Sequence, residues 1–114
     1  MNTTEFHIKI DSDINDAPER IQWQNTAEVS QEEAKAVSIA FWDAMGRGSM
    51  VINLWNKEMQ ILELKGFYLE IMKKMSETIK QATDDYVVSN IIDNACFQIE
   101  SVLESEVEKM RNQA

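Results

Sequence analysis

The chain predicts an α+β fold over residues 1–114: a four-stranded antiparallel sheet in about residues 3–56, followed by two long C-terminal helices, in about residues 57–111, packed on one face of it. Three observations carry this. Apolar and polar residues alternate in four short runs of the first half. Beyond Trp55 the apolar period lengthens to that of a helix. At 114 residues, with 44% hydrophobic and 27% charged side chains, the chain has material for one core and one domain.

Phe6, Ile8 and Ile10 alternate with His7 and Lys9, the period of a half-buried strand. The same alternation returns at Ile21 and Trp23, at Val37, Ile39 and Phe41, and at Met50, Ile52 and Leu54. Residues 11–19, rich in Asp and Asn and holding the single proline, Pro18, read as a loop. Residues 45–49, with Gly46 and Gly48, turn the third strand back onto the fourth as a hairpin. A helix competes for residues 30–44, because Ser30 and Glu33 have the spacing of a capping box. The β-branched and aromatic content of residues 37–42, and their alternation, decide for strand.

For the first helix, Asn56 stands as a cap, and Ile61, Leu64, Tyr68, Ile71, Met72, Met75, Ile79 and Ala82 trace one face. Gly66 within it costs about 1 kcal/mol relative to alanine and leaves room for another element to approach closely. Thr83 is the next cap, with Asp84 and Asp85 in the first turn of the second helix and Lys109 and Arg111 in its last. Helices of roughly 26 residues are about 40 Å long, against about 17–20 Å for strands of five or six residues. They overhang the sheet, so part of their apolar length must pack helix on helix or on another subunit, and a homo-oligomer is expected.

Twenty acidic against eleven basic side chains give a formal charge of −9. That field repels phosphate backbones and anionic lipid, so neither nucleic acid nor membrane insertion is expected. The longest near-apolar run, residues 37–42, is far too short to span a bilayer, and no export signal or lipid-anchor motif is read at the N-terminus. The single cysteine, Cys96, closes no internal disulfide and fits a reducing, cytoplasmic location.

No catalytic, cofactor or metal site is expected. Asp11, Asp13 and Asn15 have the spacing of the first ligands of an EF-hand loop, but Asp16 and Gln22 stand where glycine and glutamate are needed, which leaves a solvated loop. His7 has no second metal ligand near it, and Cys96 has no base. Gly46-Arg47-Gly48 lacks the lysine and the strand-to-helix setting of a phosphate loop. Glu100, Glu104 and Glu108 form an acidic stripe, read as a solvated face rather than a dock for a basic partner.

The sheet's outer face is more informative. If Phe6, Ile8, Ile10, Ile21, Trp23, Val37, Ile39, Phe41, Ile52 and Leu54 face the helices, strand parity turns Ser38, Ala40, Trp42, Val51, Asn53 and Trp55 outward. The candidate partner-binding residues are therefore Trp42, Trp55, Val51 and Ala40, tryptophan being enriched at interfaces.

The stretches PERIQWQ (residues 18–24), EAKAVSIAFWD (33–43) and INLWNKEM (52–59), followed by the long amphipathic segment, resemble the GldC family of gliding motility proteins over about residues 3–95. The Trp42-Asp43 pair and the Leu-Trp-x-Lys-Glu-Met run, with Trp55, Lys57, Glu58 and Met59, are its most specific parts. The resemblance implies a non-enzymatic cytoplasmic accessory protein that supports bacterial gliding and its associated secretion machinery through a protein partner. It carries over no catalytic residue, and Asp43 and Glu58 are expected to serve a turn and a helix N-terminus. The order of four strands then two helices also looks similar to the export chaperone SecB, which makes a chaperone or adaptor for secreted chains the alternative.

Overall fold

A computed structural model describes residues 2–26 and 30–113. Its elements are β1 (Phe6–Ser12), β2 (Pro18–Asn25), β3 (Glu32–Ala34), β4 (Ala36–Trp42), β5 (Ser49–Trp55), α1 (Ile61–Thr83) and α2 (Val87–Asn112). Two compact units result, Met1–Met59 carrying the strands and Gln60–Ala114 carrying the helices.

The four alternating runs all form strands, and residues 36–42 are strand, not helix. They do not form one four-stranded sheet. β1, β2 and β3 make a three-stranded antiparallel sheet in that order, and β4 and β5 make a separate antiparallel ribbon. The third run lies whole in β4, and an extra strand, β3, precedes it: Ala34 pairs with Ile21 of β2, whereas, past Lys35, Ala36 pairs with Trp55 of β5. The charged Glu32-Glu33-Ala34 carries no alternation, so β3 is invisible to a periodicity reading. It pairs through Ile21, Gln22 and Trp23 of β2, and Arg20 of β2 bonds its Glu33 at 2.7 Å on the exposed surface.

The ribbon's register places Val37 opposite Leu54, Ile39 opposite Ile52 and Ala40 opposite Val51. Its turn is closed by Asp43, whose amide donates to the Gly48 carbonyl and whose carbonyl accepts from the Gly46 amide, both at 2.9 Å. Gly46 (φ 72°) and Gly48 (φ 131°) hold backbone conformations that a side chain would disfavour.

In the helical unit α1 packs on α2. Leu69, Ser76, Ser89 and Cys96 are buried between them, with small residues letting the helices approach near their connection. The Ser76 hydroxyl lies 3.1 Å from the Ser89 carbonyl and 2.5 Å from Asp93 Oδ1. Three lysines of α1 meet three carboxylates of α2: Lys65 with Glu106, Lys73 with Glu100 and Lys80 with Asp93. The acidity of α2 is thus in part a complement to α1, while Glu104 and Glu108 stay exposed as expected. No side-chain atom of the chain lies within 4 Å of where a Cβ on Gly66 would stand among the described residues, so the expected close approach is absent there.

Both helices start later than the sequence indicates. Asn56 does not cap α1; its Oδ1 accepts the Glu58 amide at 2.8 Å and its Nδ2 donates to the Glu19 carbonyl. Asp84 closes α1 in a left-handed conformation (φ 54°). Thr83 ends α1 rather than capping α2; Tyr86 stands at the cap without a side-chain bond, and Asp85 before it accepts the Val87 amide at 2.9 Å. No described helix is long and apolar enough to cross a membrane.

Candidate protein-binding faces of the strand unit

The outward face of the β4–β5 ribbon carries the four candidate residues together. Ala40 and Val51 are direct cross-strand partners, flanked by Ser38 and Asn53, whose side chains bond at 2.7 Å. Trp42 is 75%, Val51 52% and Trp55 46% exposed. The tryptophans are not neighbours: Trp42 pairs with Ser49 and Ala36 with Trp55, six residue pairs apart, or about 20 Å along the ribbon. They bracket a small, flat apolar centre.

The opposite face, expected to be the one turned toward the helices, is only partly buried. Ile21 is 1% exposed, but Phe6 is 69% and Phe41 58% exposed. Between them runs an apolar groove of about 470 Å³ lined by Ile8, Ile21, Trp23, Ala34, Val37 and Ile39, with Phe6 and Phe41 at its rim. Periodicity locates such a face without saying what covers it, which is why the groove was not foreseen.

The residues most specific to the resemblance build the end of this unit. Lys57 Nζ stands 3.0 Å from both Asp13 Oδ2 and Glu19 Oε1, and its amide donates to the Pro18 carbonyl. Asp13 Oδ1 meanwhile accepts the Asn15 and Ala17 amides at 2.8 and 3.0 Å. In the loop read against an EF-hand, the charge facing Asp13 is therefore an ammonium, and both carboxylate oxygens are occupied by protein donors. Asp43 serves its turn as expected, accepting from the Met45 amide and from the Arg47 guanidinium. Glu58, expected at a helix N-terminus, precedes α1, whose first turn carries Glu63 instead. His7 is exposed beside Glu5, and Cys96 is buried in α2. Among the described residues no cluster of three His, Cys, Asp or Glu could hold a metal ion.

The Ala17 amide, and then the Lys57 ammonium and the Asn15 amide, hold the Asp13 carboxyl below its ordinary value of 3.8. Glu19 and then Asp13 in turn raise the Lys57 ammonium above its ordinary range. A depressed carboxyl adds stability that is present above about pH 4 and lost as pH falls through the folded-state value. Urea midpoints between about pH 5 and pH 2 should therefore fall less steeply for Asp13→Asn than for the wild type; parallel curves would show that the Lys57 tie adds nothing.

Two adjoining antiparallel sheets followed by a helical hairpin define a small α+β protein with apolar strand faces open to solvent. A family model described as Gliding motility-associated protein GldC-like matches residues 18–105, from the Pro18 that opens β2 into the last third of α2. The chain belongs to this GldC-like family. Neither a curated protein nor a solved structure matches it.

Proposed function

We propose that the chain is a non-enzymatic, cytoplasmic accessory protein of gliding motility and its associated secretion machinery, and that it acts by holding one defined protein partner on the outer face of the β4–β5 ribbon. The observation that carries this is the exposure of Trp42 and Trp55 around the Ala40–Val51 pair. Aromatic anchors around a small apolar centre suit a single complementary surface, and polar Ser38 and Asn53 give it register. The family's association with gliding supports the cellular setting.

Cells of the native source that lack the chain should lose spreading by gliding and regain it with the wild-type gene. The purified chain should leave the aggregation of unrelated unfolded proteins unchanged. Suppression at near-stoichiometric amounts would replace this reading with the SecB-like chaperone, which needs a broad surface of low selectivity.

A further inference from the structure

α1 carries a second apolar surface, on the side turned away from α2. Leu69 and Ser76 face α2, and at about 100° per residue Phe67 and Ile71 fall on the opposite side, with Met75 and Ile79 continuing the row. These four residues recur at every fourth position, which makes a ridge of the kind that interdigitates in helix packing. They line an open groove of about 480 Å³ together with Glu70 and Lys74. Among the described residues, no carboxylate pairs with the Lys74 ammonium.

The ridge is its own complement. We propose that it is the contact surface for a second copy of the chain, with the two α1 helices antiparallel about a two-fold axis near residue 73. A two-fold operation there brings Phe67 level with Ile79 of the second copy and Ile71 level with Met75, and the reverse contacts follow by symmetry. Glu70 and Lys74 lie on the same rim of the ridge. The operation therefore sets Glu70 about 3 Å along the axis from Lys74 of the second copy, well within a lysine's reach, and sets Lys74 against Glu70 of that copy. A parallel two-fold would instead send the Glu70/Lys74 rims of the two copies to opposite sides of the seam, where neither charge meets its complement. Charge thus selects the antiparallel homodimer, which commits this groove to a second copy. A single helix pair is a small interface, so association falls in the micromolar range.

Sedimentation equilibrium of the full chain from about 1 µM to about 1 mM tests this. The wild type should pass from monomer to dimer across that range. Glu70→Lys alone and Lys74→Glu alone should each weaken the dimer about tenfold by setting like charges together, and the double exchange should restore it. Ile71→Asp should leave a monomer throughout with its helical circular dichroism unchanged. A wild type that is monomeric at every concentration, a dimer that survives Ile71→Asp, or single charge reversals without effect would overturn the proposal. The dimer is tested by substitutions in α1 and the partner reading by substitutions in β4 and β5, so the failure of one and the failure of the other are separate results.

Discussion

Ile21→Ala should destabilise the strand unit by about 2–5 kcal/mol, a large part of the stability of any small domain. Ile21 lies on the central strand of the three-stranded sheet, between Ile10 of β1 and Ala34 of β3, and at 1% exposure it is the one buried apolar residue of the described strand unit. Its removal opens a cavity that short strands cannot collapse around without losing register. All three tryptophans, Trp23, Trp42 and Trp55, lie in this unit. Urea unfolding followed by tryptophan fluorescence therefore reads its stability apart from the helical hairpin, which circular dichroism at 222 nm reports. A shift below about 0.5 kcal/mol, the size of an ordinary surface substitution, would mean that the core lies elsewhere.

Replacing both Trp42 and Trp55 by serine should do the opposite: leave the fluorescence-detected stability from Trp23 nearly unchanged and abolish capture of the partner. Both side chains are substantially exposed on the ribbon, so their truncation opens no cavity. An aromatic anchor at an interface is worth about 2 kcal/mol or more, which is about thirtyfold in affinity for each. Unfolding of the double variant would place the tryptophans in the core and reverse the strand parity on which the ribbon face rests. Full capture by a folded double variant would move the partner to another surface.

How much of this was legible in the sequence follows from which forces are local. Period-two alternation located β1, β2, β4 and β5, and the 3.6 period located both helices, because each reflects one face turned from water. β3 escaped because a three-residue, mostly charged strand has no apolar face to alternate. The change of partner strand at Lys35 was hidden too, since it depends on which neighbour each side finds. Lys57 reaches Asp13 across 44 residues of chain, and no local pattern announces a tie of that separation. The lysine ladder is a middle case. Lys65, Lys73 and Lys80 recur every seven or eight residues, as do Asp93, Glu100 and Glu106 at six or seven, and the spacing becomes meaningful once the helices are antiparallel. The ribbon's outer face was read from parity alone, and the register places its four residues on one face, with the two tryptophans at its opposite ends.

The partner face is tested most directly by the indole N–H signals of the isotope-labelled chain in a nitrogen–proton NMR spectrum, titrated with the partner purified from gliding cells. Three tryptophans give three signals that single substitutions assign. Trp42 and Trp55 should shift or broaden as the partner is added, while Trp23, in the groove of the opposite face, keeps its position. Perturbation of Trp23 with Trp42 and Trp55 unmoved would contradict the account and put the partner in the groove instead.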